Sequence, residues 1–391
     1  MVSMVVSALL VALAVAIAAV VLFWSWPGKP KPFLDAGGRP LPDSISEKIR
    51  VEINGCEQGM FLRARDKTRP VLLYLHGGMP EYFLAQRYPT GLEAEFVVCW
   101  WEQRGSGLSY RPGMSPESMT VAQLAADTLA LTNDLRRRFG QDRIYLLGHS
   151  GGSFLGMHAV ALAPELYHAY IGVAQMGNQL KSEKRAYDYM LGLCRAERRS
   201  ALARKLEAAP VTLEGGLPPP YMRVRDEAMH ALGVGTMREM RSVVTGLFLP
   251  SLRNRDYTLA EKINLWRGKA ATGISSMWRE ILAVDLAARV PGVGVPVYFL
   301  HGVHDYTCTY AEASDYFATL TAPLKGFYTF SKSAHSPMFE EPDRFMTILR
   351  EDVLNGTVRL ADNSPTSRPP AAWRRRPPRP DAAVQVRNDE A

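Results

Sequence analysis

The chain has 391 residues, 47% of them hydrophobic and 22% charged, a balance that excludes an intrinsically disordered protein and supplies ample apolar matter for a core. Its length exceeds one ordinary domain and falls short of two large ones, so a single core with a substantial insertion is expected. The net charge is +7, and the cysteines Cys56, Cys99, Cys194 and Cys308 have neither the C-x-x-C nor the histidine spacing of a zinc site, so they read as packing thiols.

Residues 1–26 contain no charged side chain. The stretch 4–24 is almost continuously apolar, enough to cross the roughly 30 Å hydrocarbon layer as a helix. A retained anchor is the expectation. A cleaved signal peptide would need a basic leading region and a shorter apolar stretch, and both are missing. Trp24 and Trp26 would mark the interface. Lys29, Lys31 and Arg39 follow, so the positive-inside rule favours a single-pass protein with its catalytic domain on the cytoplasmic side.

After a Pro/Gly linker over 27–44, residues 48–53 alternate with period two and run into Asn54-Gly55, the signature of a type I′ hairpin. The run 71–75 (V-L-L-Y-L) is apolar throughout, as in a strand covered on both faces, and ends at His76-Gly77-Gly78. A second such run, 96–101, ends at E-Q-R-G-S-G. Thr120 with Gln123 predicts a capping box opening a helix that ends at Gly140. Residues 143–147 read as a strand, 153–163 as a helix and 170–174 as a strand. Strands alternating with helices imply a parallel sheet with helices on both faces.

From 178 to 290 the periodicity becomes helical, broken at Gly215-Gly216 and at Pro218-Pro219-Pro220, and predicts a helical cap inserted between a first core segment (45–177) and a second (291–355). Strands at 297–300 and 327–330 and a helix at 344–354 complete the core. The segment 356–391 is rich in Pro and Arg and is expected to be a disordered tail; a ligand for a Pro-binding module or an anionic surface is the alternative.

Gly148-His149-Ser150-Gly151-Gly152 fits G-x-S-x-G between a predicted strand and a predicted helix, the setting in which this pattern holds a nucleophile. A serine hydroxyl attacks only when a base takes its proton, and the base must be oriented by a carboxylate. Asp305 follows the strand V-Y-F-L and His335 follows F-Y-T-F, so the order nucleophile, acid, base is Ser150, Asp305, His335. His301 and His304 share the Asp305 loop and are expected to shape it. Glu312 and Asp315 fall inside the following helix, and His158, His168 and His230 have no motif around them. His149 is expected to support the turn, and Cys308, three residues past Asp305, is a near-site thiol only on the minority reading. The developing oxyanion needs amide donors. Gly151 supplies one, and the His76 loop supplies the other through Gly78 or Met79. No metal or organic cofactor is required.

The set H-G-G-M-P, W-W-E-Q-R-G-S-G-L-S, G-H-S-G-G-S, H-G-V-H-D-Y and S-A-H-S-P-M-F-E-E-P, spread over 71–354, resembles the proline iminopeptidase-like branch of the α/β-hydrolase superfamily. The resemblance implies an α/β-hydrolase fold and a serine hydrolase. That branch shows H-G-G-P-G, D-Q-R-G-x-G-x-S and a tryptophan after the nucleophile, where this chain has Met79-Pro80, Glu102 and Gly151. These departures alter the pocket wall and leave the triad in place. An iminopeptidase must hold a free amino terminus, usually with carboxylates of the cap, yet 178–289 carries 19 Lys/Arg against 12 Asp/Glu. Beside an anchor, such basic character suits an anionic lipid surface.

Three readings follow: a membrane-anchored esterase or amidase, an aminopeptidase for small or proline-like amino-terminal residues, and a non-catalytic ligand-binding homologue. The expected partners are a small-molecule ester, amide or peptide substrate and a membrane, with no nucleic acid. Ser150 excludes the aspartate-nucleophile chemistry of epoxide hydrolases and dehalogenases.

Overall fold

The computed structural model describes residues 2–273 and 275–362. An apolar helix, α1 (Val2–Ser25), precedes an eight-stranded sheet of order β1-β2-β4-β3-β5-β6-β7-β8. The strands are β1 (Ile45–Ile53), β2 (Cys56–Ala64), β3 (Val71–Leu75), β4 (Val97–Glu102), β5 (Ile144–His149), β6 (Tyr167–Val173), β7 (Val297–Gly302) and β8 (Lys325–Phe330). The β1–β2 and β2–β4 pairs are antiparallel and the remaining pairs are parallel. The fold is an α/β-hydrolase fold, as expected from the alternation of strands and helices.

Asn54 and Gly55 take φ values of 47° and 71°, the left-handed pair that a type I′ turn demands. Strands β3, β4 and β5 are buried at every position, because helices cover both faces of the sheet's centre. Two apolar layers result. One packs β-strand side chains against α2 (Val121–Phe139) and α3 (Gly151–Leu162), and the other packs the opposite face against the chain's closing helices.

Thr120 caps α2, accepting a hydrogen bond from Gln123 N at 3.1 Å. The reciprocal half of the expected capping box is absent. The Gln123 side chain instead donates to Asp127 at 2.8 Å, because that buried carboxylate also gathers Arg104, Gln58 and Asn54 and ties the loop after β4 to the hairpin.

Between β6 and β7 the chain is helical, with α4 (Gln179–Ala196), α5 (Pro219–Ala231), α6 (Leu259–Thr272) and α7 (Ser276–Ala283). Part of this region has an apolar core of its own, built around Met190, Leu206 and Tyr221. The prolines read as a break also open α5, since a helix's first turn has no use for the missing N–H. After β7 comes α8 (Tyr310–Thr319), and α9 (Pro342–Ile348) passes into a π-turn over Leu349–Val353, so the predicted closing helix is not uniform.

The predicted tail begins in ordered chain. Asp352 accepts the backbone N–H groups of Arg359 and Leu360, each at 2.8 Å, and Asp362 N bonds Phe327 O of β8 at 2.8 Å. The Pro/Arg-rich stretch from 363 onward lies outside the described residues.

Candidate active site

β5 ends at His149 and α3 begins at Gly151, so the chain turns from strand to helix within one residue. Ser150 makes the turn at φ 56°, ψ −123°, a conformation that L-residues avoid and that costs on the order of 1–3 kcal/mol. Three glycines around it leave no room for a side chain. A Cβ on Gly148 would stand 2.4 Å from Gly152 O, one on Gly152 2.1 Å from Leu75 O, and one on Gly77 2.6 Å from Ser150 Cβ. The loop after β3 therefore lies directly against the Ser150 side chain.

Asp305 and His335 arrive from the loops after β7 and β8. Asp305 Oδ2 accepts a hydrogen bond from His335 Nδ1 at 2.8 Å. Its Oδ1 accepts the amides of Thr307 and Cys308 at 2.8 and 2.9 Å, and His301 Nε2 lies 3.3 Å from Oδ2. Burial opposes a charge on Asp305, but His335 and the hydrogen bonds from His301 and His335 outweigh it and hold the carboxyl well below the usual carboxylate range. Burial also pushes the His335 imidazole below its ordinary value, and Asp305 offsets this only partly. A charged acid beside a neutral imidazole is the state in which the free ring nitrogen can accept a proton.

Ser150 and His335 line one cavity of about 230 Å³, together with Gly78, Met79 and Gly151. Here Ser150 Oγ turns toward Cys308 Sγ at 4.0 Å; among the described residues it makes no hydrogen bond to His335. Such contacts commonly close only around substrate. Cys308 is thus a thiol beside the serine rather than a remote packing residue, and burial pushes its ionisation well above the ordinary value. Cys56, Cys99 and Cys194 are free and buried.

A second buried pair had no signal in the motifs. His149 Nδ1 meets Glu81 Oε1 at 2.7 Å, and His149 Nε2 meets the carbonyl oxygen of His335 at 2.8 Å. Both partners are oxygen atoms, an arrangement that favours a proton on each ring nitrogen and so the imidazolium form. Burial opposes that charge and the Glu81 carboxylate overcomes it, raising the pKa. Glu81 also accepts Tyr74 OH at 2.5 Å. His149, expected to support its own turn, instead fastens that turn to the His335 loop.

The rival residues sort differently. His301 is fully buried beneath Asp305 and bonds Cys308 O at 2.8 Å. Glu312 sits on α8 and pairs with Arg185 at 2.6 Å. His230, which has no motif around it, lines the cavity, bonding Asp226 O and Thr236 Oγ1 at 2.7 and 3.2 Å. Among the described residues no cluster of His, Cys, Asp and Glu is arranged to hold a metal ion.

The cap closes the cavity with Met222 and Met229 of α5, Met277 and Trp278 of α7, and Leu247. A Cβ on Gly151 would meet Met277 Cε at 3.5 Å, so a cap methionine borders the space in front of this glycine. Arg225 grips Glu183 through Nε and Nη2 at 2.6–2.9 Å. Glu183 is further bonded by Gln179 and Tyr221, each at 3.0 Å, and has no capacity left for a ligand. Asp226 keeps a side chain 46% exposed, 3.1 Å from Arg225 Nη1.

Compared with known sequences, residues 72–348 match the alpha/beta hydrolase family. The chain belongs to that family. As an alpha/beta hydrolase it is a hydrolase, and it is similar to the probable aminopeptidase YbaC of Bacillus subtilis (strain 168), 29% identical over 321 residues that span 79% of this chain and 97% of that protein. Among solved structures it resembles the proline iminopeptidase of Mycobacterium smegmatis, with a TM-score of 0.59 and 18% identity over 79% of this chain and 98% of that one. It also resembles the 2-hydroxy-6-oxo-6-phenylhexa-2,4-dienoate hydrolase of Rhodococcus sp. strain RHA1, with a TM-score of 0.52 and 16% identity over 78% and 97% of the two chains. At these identities the likeness is one of fold.

Proposed function

We propose that this alpha/beta hydrolase is a membrane-held serine hydrolase that cleaves an ester or amide through an acyl-enzyme. The observation that carries the reading is the Asp305–His335 hydrogen bond of 2.8 Å on the wall of the cavity that Ser150 enters at the head of α3. Ser150 Oγ attacks the substrate carbonyl while His335 takes its proton and Asp305 keeps the ring oriented. The Gly151 amide and an amide of the Gly78-Met79 loop hold the oxyanion. His335 returns the proton to the leaving group, then activates the water that releases the acid.

Activated fluorophosphonate is expected to label the wild type and not Ser150→Ala; a folded wild-type protein that takes no label breaks the reading. Protonated His335 cannot accept the serine proton, and its pKa lies below the ordinary 6.5. Hence kcat/KM should be lost as pH falls through a value below 6.5, and a profile with no acid limb between about pH 5 and 9 contradicts the assignment of His335 as base.

An apolar ester or amide suits the methionine-lined wall. Asp226 favours a second reading, the aminopeptidase suggested by the Bacillus subtilis relative's name, because it is a half-exposed carboxylate on the cavity wall that could hold a substrate amine. Turnover of amino-acyl anilides that requires a free amine, and that Asp226→Asn abolishes, would select the peptidase; turnover of p-nitrophenyl esters alone would select the esterase.

α1 offers 21 residues, Val5–Ser25, long and apolar enough to span a membrane. Arg253, Arg255 and Lys262 gather at its last turn, adding to Lys29, Lys31 and Arg39 on the side we assign to the cytoplasm.

A further inference from the structure

The anchor helix and the substrate cavity share a structural element. α1 touches the rest of the protein through its last turn, and the residues it meets belong to the cap. Lys262 Nζ donates to Trp24 O at 2.9 Å, Arg255 Nε donates to Trp26 O at 2.9 Å, and Arg255 stands 4.5 Å over the Phe23 ring. Lys262 lies on α6. The same helix presses Gly268 against the loop after β4, where a Cβ would stand 2.9 Å from Gly105 O. Its far end, at Lys269 and Thr272, walls the cavity. From Lys262 to Thr272 an α-helix rises about 15 Å. One rigid helix therefore runs from the anchor to the pocket.

Beside the anchor contact α6 exposes apolar side chains. Leu259 and Ile263, one turn apart and flanking Lys262, are 43% and 45% exposed. Phe248, whose ring meets Trp266 of α6 at 5.3 Å, is 38% exposed, and Val244 one turn earlier is 57% exposed. Arg253 and Arg255 lie between these two groups in the chain. Apolar residues next to cations, at the point where an apolar helix leaves the protein, match the order of materials in a bilayer surface, with acyl chains beneath and anionic headgroups above.

We propose that this cap face, Val244, Phe248, Leu259 and Ile263, rests in the bilayer that α1 crosses, and that the hydrolase draws a lipid-partitioned ester or amide with an apolar acyl chain into its methionine-lined cavity. The inference rests on the anchor and serine-hydrolase readings above, and its test separates them.

The full-length protein is placed in vesicles of phosphatidylcholine and phosphatidylglycerol. Because the native cysteines are all buried, Ile263→Cys can be labelled with a single fluorophore, and Asp142→Cys, at the opposite end of the sheet, serves as control. Lipids brominated on their chains should quench the dye at 263 at least fivefold more than the dye at 142. Equal quenching, or none at 263 in protein that floats with the vesicles, overturns the docking; protein that does not float removes the anchor and this proposal together. In the second arm, Leu259→Asp combined with Ile263→Asp should slow hydrolysis of a long-chain p-nitrophenyl ester held in the vesicles about tenfold and leave soluble p-nitrophenyl acetate unchanged. Equal effects on both esters overturn membrane delivery. A wild type inactive on both overturns membrane delivery of an ester, while fluorophosphonate labelling still decides the serine-hydrolase reading and the quenching still decides the docking.

Discussion

The loops at the carboxyl ends of the strands and the cap above them hold their residues by different means. Around Ser150 the positions are set by close backbone contact: a Cβ on Gly148 or Gly152 would meet backbone and one on Gly77 the Ser150 side chain, and Asp305 is held by two amides as well as by His335. In the cap the cavity wall is built from side chains, Met222, Met229 and Met277 among them, over helices of which part packs through an apolar core of its own. Backbone contact fixes an atom to within a fraction of an ångström and tolerates almost no substitution. A methionine wall adapts at little cost. The candidate triad thus sits in the rigid part, and the wall proposed to choose the substrate in the adaptable part.

That contrast can be broken by substitution. Asp305→Asn, which keeps the shape but holds His335 in the wrong tautomer, should lower kcat about 10⁴-fold, measured on any p-nitrophenyl ester that the wild type turns over; a loss of less than tenfold would mean that the Asp305 loop does not orient the base. Glu81→Gln removes the carboxylate that favours a proton on His149, so the ring can shed that proton and the loss is that of a buried hydrogen bond, about 1–3 kcal/mol, read from the urea midpoint at neutral pH. An unchanged midpoint would show that the glutamate–histidine link is not what fastens the two loops. The smallest effect is expected at Gly151→Ala. The new Cβ meets only the flexible end of Met277 at 3.5 Å, so kcat should hold and KM should move less than about threefold, within the range of one methylene in an apolar pocket. If Gly151→Ala instead abolished activity, this edge of the pocket would belong with the rigid loops.

The departures from the related branch take on physical content. Glu102, where relatives carry Asp, reaches Tyr257 of the cap through Oε1 and accepts the Leu108 amide at 2.6 Å through Oε2. Burial pushes its carboxyl up to about 8, so near neutral pH it is largely a protonated, hydrogen-bonded bridge between core and cap. The longer side chain adds a link between core and cap to those made by Arg185 with Glu312 and by Gly268 with the loop after β4.

Much of the fold was legible because its signals are local. Unbroken apolar runs marked β3 and β4, an Asn-Gly pair marked the hairpin, and Thr120 marked the start of α2. The candidate triad was legible for the same reason, since each member closes a strand and sits in a short motif. Glu81 and Arg225 were not legible as neighbours of the site, and the contact of Cys308 with Ser150 was legible only as the minority reading. Their partners stand 68, 42 and 158 residues away in the chain, and no local period encodes such a pairing. The capping box failed on like grounds: the Gln123 side chain was recruited by Asp127, whose other partners come from the hairpin and from the loop after β4.

The sequence by itself determined the α/β architecture, the apolar leading helix and the residues proposed for chemistry, because strand, turn and helix propensities and a five-residue elbow act over neighbouring positions. Only the tertiary structure decided that His149 pairs with Glu81 and is bound to the His335 loop, that Met277 borders the space before Gly151, that Arg225 occupies Glu183, and that α6 joins the anchor to the cavity. Those outcomes depend on which side chains meet across distant segments, and that is settled when the layers pack.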